Sequence, residues 1–162
     1  MSWALGMYKK TWVIFGMIRR YVCDTNAIIW YFDYVFRQES KLTRHVRSII
    51  DRAFQKESDV RLIIPSLVFI EIQTKWTTSS ELAAKIRYEV FSKIVDCENI
   101  EIREISEEIL ENVLRISLNL PGHDLHDKII LANALALNCP LFTSDSTIID
   151  YAKRSTDINT LI

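Results

Sequence analysis

The chain has 162 residues, of which 49% are hydrophobic, and its 20 Lys and Arg residues nearly balance its 21 Asp and Glu residues. This length suits one domain that buries about two thirds of its unfolded surface, and it leaves no room for a second domain. The balanced charge neither indicates nor excludes a nucleic-acid partner, because such binding depends on a local basic patch rather than on net charge.

Residues 1–16 are predicted to be an N-terminal extension, and residues 17–162 are predicted to be the domain proper. The extension is expected to be non-native or upstream sequence, either disordered or packed as an extra helix. Its lysines precede an apolar run that is too short to cross a bilayer, and no small-residue cleavage site follows. We therefore expect no signal peptide, no membrane segment and a cytoplasmic location.

The three cysteines are predicted to be reduced thiols of the core. They are odd in number, far apart and set in apolar surroundings, at Cys23, Cys97 and Cys139. A disulfide framework or a zinc site would show paired cysteines at short, regular spacing. The cysteines therefore give no indication of an oxidising compartment.

The first half of the chain predicts strands that alternate with helices. A short apolar run in "RRYVCDTN" is typical of a buried strand that runs into a turn. The breaker-free "AIIWYFDYVF" favours a helix, and apolar residues recur at helical spacing from Lys41 to Phe54. "VRLIIP" predicts a second strand closed by Pro65, after which Ser66 begins a helix, "LVFIEIQTKW", that contains Glu71.

The second half continues this alternation. The predicted elements are a helix over 81–95, a strand in "ENIEIREI", a helix from the Ser106 cap to about Leu118, a helix over about 124–138, a strand in "CPLFTSD", a short helix in "STIIDYAKR" and a possible last strand in "INTLI". Continuous apolar strands between helices indicate a parallel sheet that is covered on both faces. The predicted fold class is therefore α/β.

Acidic residues recur where such a sheet binds ligands, which is outside the carboxyl ends of its strands. Asp24 follows the first strand, Asp145 follows the fourth, and Asp127 begins the late helix; Glu71 lies on the helix after the second strand. Each acid alone is explained as a turn or helix cap, since first-turn amides and the helix dipole favour a negative group. Their common location requires a further explanation.

A cluster of carboxylates needs a shared proton or a cation, because two of them about 4 Å apart repel by roughly 4 kcal/mol at an effective dielectric near 20. Ligation by oxygen alone favours Mg²⁺ or Mn²⁺ over zinc. A cation in such a site activates water and offsets charge on a phosphodiester. The acids therefore indicate metal-assisted phosphoryl transfer.

Four stretches carry these acids, "VCDTNAIIW", "IPSLVFIEI", "HDKIILANALAL" and "LFTSD". In order and spacing they resemble the acidic motifs of PIN-domain proteins, especially the VapC-type ribonuclease toxins, and the resemblance covers residues 18–162. It implies a three-layer α/β/α sandwich with a parallel sheet of about five strands. It also implies an endoribonuclease dependent on Mg²⁺ or Mn²⁺ and a cognate antitoxin, and the apolar, aromatic early helices suit antitoxin or homodimer contact.

The resemblance also assigns roles to individual residues. Asp24, Glu71, Asp127 and Asp145 match the four acids in order, with Asp24, Asp127 and Asp145 as metal ligands and Glu71 as a ligand or a positioner of water. The positions beside them could hold water or orient a carboxylate, at Thr25, Asn26, Thr143 and Ser144. Asp124 and Asp150 are additional acids near the motifs, which leaves open which of the late aspartates bind metal and which are caps.

The other candidate residues are interpreted as structural. His123 and His126 flank Asp124, but without a third nitrogen or sulfur ligand they do not indicate zinc. Lys128 is expected to be solvated. A solvated helix face is also predicted for Lys41, Arg44, Arg47 and Arg52, and core or interface positions for Trp30, Tyr31, Phe32, Tyr34 and Phe36.

Two other hypotheses remain beside the ribonuclease. One is a PIN-like module that binds RNA or protein without catalysis, and the presence of all four acids argues against it. The other is a phosphate-accepting receiver-like domain, which needs an acidic pair after its first strand and a lysine at a later strand end. Neither of those two features is evident in the sequence.

Overall fold

A parallel sheet of five strands lies at the centre of the computed structural model, which describes residues 17–37, 41–76, 79–155 and 160–161. The predicted extension, residues 1–16, lies outside these described residues. The strands are β1 (Arg19–Cys23), β2 (Val60–Pro65), β3 (Ile100–Arg103), β4 (Leu141–Phe142) and β5 (Thr160–Leu161), in the order β3-β2-β1-β4-β5. All neighbours pair in parallel, which confirms the predicted parallel sheet.

The strand order reverses beside β1. Val22 of β1 is in register with Ile63 of β2 on one side and with Leu141 of β4 on the other. The chain thus builds outward from β1 in one direction to β3, then returns past β1 and builds in the other direction. The crevice outside the carboxyl ends of β1 and β4 is therefore the place where an open α/β sheet binds its ligand.

Helices connect the strands. They are α1 (Thr25–Arg37), α2 (Arg44–Ala53), α3 (Ser66–Trp76), α4 (Ser80–Lys85), α5 (Ser92–Val95), α6 (Glu107–Asn119), α7 (Leu125–Leu137) and α8 (Ser146–Arg154), with a π-helical segment, Ile86–Phe91, between α4 and α5. Crossovers between parallel strands are almost always right-handed, so the change of direction after β3 is expected to put α1 to α5 on one face and α6 to α8 on the other. The contacts of α1 with α3 and of α6 with α7 agree with this arrangement. The predicted three-layer α/β fold is thus confirmed.

Polar residues at the strand ends explain two differences from the predicted boundaries. The helix predicted from Ala27 begins at Thr25, since the carboxylate of Asp24 accepts a hydrogen bond from the Ala27 amide at 2.6 Å. The strand predicted in "CPLFTSD" is limited to Leu141–Phe142. Beyond it the Asp145 amide donates to the Thr143 hydroxyl at 3.1 Å, which turns the chain out of the sheet and into α8.

The core lies on both faces of the sheet and buries β2 almost completely. Of the predicted aromatic cluster, Tyr31 and Phe32 are buried, and Trp30 packs partly buried against the core. The three cysteines are free thiols, with Cys23 and Cys139 buried. Within the described residues, no helix is long and apolar enough to span a membrane.

Candidate metal centre

Asp24 is the most buried acid at the carboxyl end of β1, with 6% of its surface exposed. Burial raises the pKa of this carboxyl to about 6, although hydrogen bonds from Ala27, Thr143 and Ser144 oppose the rise; the charge of Asp127 adds a little to it. Asp24 is therefore both the cap of α1 and a carboxylate held in an unfavourable setting for its charge.

Asp127 lies opposite, in the first turn of α7, about half-buried. Burial is the main reason why its pKa is raised, and the charge of Asp145 is the next, followed by weaker repulsion from Asp124 and Glu71; His123 acts in the opposite direction. Asp127 therefore interacts electrostatically with its sequence neighbour Asp124 and with two acids from distant parts of the chain, Asp145 and Glu71.

Asp145 begins α8 and is also part of this group. Its Oδ1 accepts a hydrogen bond from the Ile148 amide at 2.8 Å, which makes it the helix cap. The hydroxyl of Thr143 links it to Asp24, because this hydroxyl accepts from the Asp145 amide and hydrogen-bonds the Asp24 carboxylate. Asp145 therefore caps α8 and belongs to the acid cluster at the same time.

Glu71 is held at the cluster by two side chains. The Thr25 hydroxyl donates a hydrogen bond to Glu71 Oε2, and His126 Nδ1 lies 3.3 Å from Glu71 Oε1. The carboxylate is largely buried, with 13% of its side chain exposed. The Glu71 carboxylate thereby joins the start of α1, the middle of α3 and the start of α7.

The two additional acids take different positions. Asp124 caps α7 by accepting from the His126 amide at 2.7 Å, and its side chain is mostly exposed. Asp150 pairs with Lys153 at 3.4 Å on the exposed side of α8. Asp124 therefore contributes charge at the edge of the cluster, and Asp150 has no contact with the cluster within the described residues.

The remaining predicted positions lie close by. Ser144 and buried Thr143 follow β4, and their hydrogen bonds to Asp24 agree with a role in orienting a carboxylate. Asn26 is partly buried in the first turn of α1. Thr143 and Ser144 therefore lie where they hydrogen-bond the Asp24 carboxylate, and Asn26 lies two residues after Asp24.

His123 is the residue of the cluster that the sequence interpretation set aside. Its Nε2 lies 3.4 Å from Asp127 Oδ2 and 3.8 Å from Asp145 Oδ1. One ligand atom from each of these three residues falls within 4.8 Å of the other two. The sequence signal was the spacing of four residues between His123 and Asp127, which is about one helical turn.

Two expectations for basic residues were wrong. Lys128 is buried, because α7 packs against both α6 and β1. Of the face predicted to be solvated, Lys41 is exposed as expected, 5.7 Å from the ring centre of Trp30, whereas Arg47 is partly buried and lies 4.5 Å from that of Tyr34. Arg52 forms an ion pair with Asp59, and Arg44 is exposed as expected.

Comparison with known proteins supports the same architecture. The family described as PIN domain matches residues 21–154. No curated protein matches significantly.

Solved structures with a similar fold include VapBC-1 from nontypeable Haemophilus influenzae, 20% identical, covering 88% of this chain and 96% of that chain with a TM-score of 0.59. VapBC2 from Rickettsia felis, bound to a promoter DNA fragment, is 20% identical over 88% of this chain and 97% of that one, with a TM-score of 0.57. FitAcB from Neisseria gonorrhoeae is 14% identical over 88% of this chain and 96% of that one, with a TM-score of 0.59. At these identities the likeness shows the fold.

Proposed function

The chain belongs to the PIN-domain family, and we propose that it is a metal-dependent endoribonuclease, the toxin of a type II toxin–antitoxin pair. The observation that carries the proposal is the meeting of Asp127 and Asp145 at the crevice where the strand order reverses, beside buried Asp24, whose carboxylate interacts electrostatically with Asp127. Stability alone does not account for this arrangement, because burial and mutual repulsion both disfavour the ionised carboxylates.

The donor set fits a divalent cation. Ligands about 2.1 Å from an octahedral cation are about 3.0 Å apart when adjacent and about 4.2 Å apart when opposite. The ligand atoms of His123, Asp127 and Asp145 lie within 4.8 Å of one another, close to that range. Carboxylate oxygens predominate, which favours Mg²⁺ or Mn²⁺.

In the proposed reaction Asp24, Asp127 and Asp145 hold the cation. When bound, the cation supplies charge that lowers the pKa of water and stabilises the negative phosphate oxygens. Glu71, fixed by the Thr25 hydroxyl, is a further ligand or positions the water that attacks phosphorus. The water oxygen would bond to phosphorus and lose a proton while the bond from phosphorus to the leaving oxygen breaks, and the leaving oxygen would take up a proton. Hydrolysis would thus proceed without a covalent enzyme intermediate.

RNA has a basic approach to this crevice along the start of α2. A small cavity of about 10 Å³ is lined by Asp24, Trp30, Leu42 and Val46, among others. Lys41 lies over the ring of Trp30, which lines the cavity, and exposed Arg44 begins α2 two residues before Val46. Cations beside a metal centre attract the phosphate backbone, so this edge is where we place the incoming RNA strand.

Metal-dependent cleavage of RNA tests the function directly. The wild-type protein is expected to cut single-stranded RNA with Mn²⁺ or Mg²⁺, to lose this activity in a chelator, and to regain it when excess metal is added. Denaturing gel electrophoresis of an end-labelled RNA measures the products. Cleavage that persists in the chelator would contradict the proposal, because the carboxylates alone supply no positive charge.

A binding module without catalysis is the second candidate function. It accounts for the PIN fold but not for the burial of Asp24 among other acids. In the assay above this candidate predicts intact RNA under every metal condition. A retarded RNA band in a native gel, without cleavage, would favour it over the nuclease.

An antitoxin and a second copy of the chain are the proposed protein partners. A toxin–antitoxin complex from Klebsiella pneumoniae has a similar fold, with 20% identity over 85% of this chain and 93% of that chain and a TM-score of 0.52, which supports an antitoxin here. Such a toxin acts on cytoplasmic RNA, and we therefore place the protein in the cytoplasm. Co-expression of the short neighbouring reading frame, if it encodes the antitoxin, should suppress the cleavage activity.

The proposed homodimer uses an exposed leucine face on α6, formed by Leu110, Leu114 and Leu118. These residues recur at intervals of four, so they form one stripe along the helix. Glu107 and Glu111 lie toward the start of the helix and Arg115 lies beyond its middle. Two-fold antiparallel packing would place the acidic part of one helix beside Arg115 of its partner, which makes the face complementary to itself.

Leu114→Glu is expected to convert this dimer to a monomer, because it buries an unpaired charge at the centre of the contact; Leu114 is 71% exposed in the single chain. Light scattering coupled to size-exclusion chromatography measures the mass. Val95→Glu, at an exposed apolar residue of α5, is the control and should leave the mass unchanged. A Leu114→Glu protein that remains dimeric would exclude this face as the interface.

A further inference from the structure

We propose that His123 is a nitrogen ligand of the cation and that it makes the centre prefer Mn²⁺ to Mg²⁺. This inference rests on the metal-dependent nuclease proposed above and concerns a residue outside the four acidic motifs. The expected ligands then change from carboxylate oxygens alone to carboxylate oxygens with one imidazole nitrogen. Mn²⁺ is the ion that such a set of ligands selects.

The first observation is an unsatisfied nitrogen. His123 Nε2 is buried and has no hydrogen-bond partner in the described part of the chain. The other buried polar side-chain atoms in that condition belong to Arg47, Arg103 and Asn133. A buried polar atom without a partner destabilises the fold, so this nitrogen is expected to bind a ligand.

The second observation is the direction of that nitrogen. It lies 3.4 Å from Asp127 Oδ2 and 3.8 Å from Asp145 Oδ1, yet it makes a hydrogen bond to neither carboxylate. Distances of this size separate two ligands of one cation, whereas a charge-assisted hydrogen bond would be about 2.7–2.9 Å long. The imidazole is thus placed beside the carboxylates as another ligand rather than as their hydrogen-bond donor.

The third observation is how the chain fixes this side chain. Gly122 has a φ of +77°, a left-handed conformation that disfavours other residues, and it turns the chain just before His123. Asp124 then caps α7, which holds Asp127 one turn further along. Only 16% of the His123 side chain is exposed, so its ring has little freedom to turn away.

Metal preference follows from this donor set. Mg²⁺ binds oxygen almost exclusively and retains its waters, whereas Mn²⁺ accepts imidazole nitrogen together with carboxylates. Replacing His123 should therefore weaken Mn²⁺ binding more than Mg²⁺ binding. We expect the Kd for Mn²⁺ to rise about tenfold in His123→Gln and the Kd for Mg²⁺ to change by less than about twofold.

The test is pulsed electron paramagnetic resonance of Mn²⁺ bound to the full chain, with and without ¹⁵N-labelled histidine. The wild-type protein should show coupling of Mn²⁺ to a histidine nitrogen, and labelling should change that coupling. His123→Gln should lose it, and His126→Gln should keep it. The wild-type spectrum needs no substitution, so a variant that fails to fold leaves the test intact.

The possible failures separate the two proposals. Mn²⁺ bound at the acids without histidine coupling would overturn the role of His123 and leave the nuclease proposal standing. Coupling that survives His123→Gln and disappears in His126→Gln would assign the nitrogen to the other histidine and likewise overturn it. Absence of any bound Mn²⁺ in the wild-type protein would overturn both.

Discussion

Asp24→Asn and Asp127→Asn should each lower the rate of RNA cleavage by at least about a hundredfold. Each substitution removes one negative charge from the ligand set while nearly preserving the shape of the side chain, and loss of transition-state charge stabilisation of several kcal/mol corresponds to such a factor. Single-turnover cleavage of an end-labelled RNA with Mn²⁺ measures the rate.

The matched control is Asp150→Asn. Asp150 is an aspartate of α8 that pairs with Lys153 and has no contact with the cluster within the described residues, so its removal should change the rate by less than about twofold. The fold of the Asp24 variant should persist, because an asparagine oxygen can still accept the hydrogen bond that caps α1. A folded Asp24→Asn protein that cuts RNA at the wild-type rate would refute the assignment.

The same substitution should stabilise the metal-free protein at neutral pH. Burial raises the pKa of Asp24 to about 6, above its value of about 3.9 in the unfolded chain. A pKa raised by folding contributes stability that is complete below about pH 4 and is lost as the pH rises through about 6. Ionised Asp24 therefore costs the native state up to about 3 kcal/mol near pH 7.5, and neutral asparagine avoids this cost.

Urea unfolding in a chelator measures this effect. At pH 7.5 the Asp24→Asn protein should exceed the wild type in unfolding free energy by about 1–3 kcal/mol, and near pH 4 the two should agree within about 1 kcal/mol. The lower end of the range allows for lost hydrogen bonds from Thr143 and Ser144. A wild type that is the more stable of the two at pH 7.5 would contradict the electrostatic account.

These two predictions describe a conflict between stability and function at one residue. Asp24 is buried where its charge is unfavourable in the metal-free protein, and the same burial fixes the carboxylate rigidly beside Asp127 and Thr143. A rigid, buried carboxylate is what a metal site requires. Added Mn²⁺ should therefore stabilise the wild type and stabilise Asp24→Asn much less.

The fold could be predicted because its signals are local. The continuous apolar run of β2 indicates a strand covered on both faces, and the helical spacing of apolar residues in α2 indicates an amphipathic helix. The end of β4 could not be predicted. It depends on the hydrogen bond from the Asp145 amide to the Thr143 hydroxyl, which turns the chain out of the sheet. The same hydroxyl also hydrogen-bonds Asp24, a residue distant in the sequence, so the local sequence does not reveal it.

The candidate site could be predicted in part. Strand ends in a parallel sheet share an edge, so topology predicted Asp24 and Asp145 near one another, with Asp127 and Glu71 on the adjoining helices. The resemblance then assigned roles to all four. The positions of His123 and Lys128 could not be predicted, because both depend on how the turn at Gly122 and the packing of α7 direct their side chains. The catalytic and metal-binding roles of all these residues stay predictions.

Isothermal titration of the metal-free protein with Mn²⁺ tests the central claim most directly. The wild-type protein and Asp150→Asn should each bind about one Mn²⁺ per chain in the crevice beside β1 and β4, and Asp24→Asn should bind it at least about tenfold more weakly. Equal Mn²⁺ binding by the wild type and by folded Asp24→Asn would contradict the claim that these acids form a metal centre.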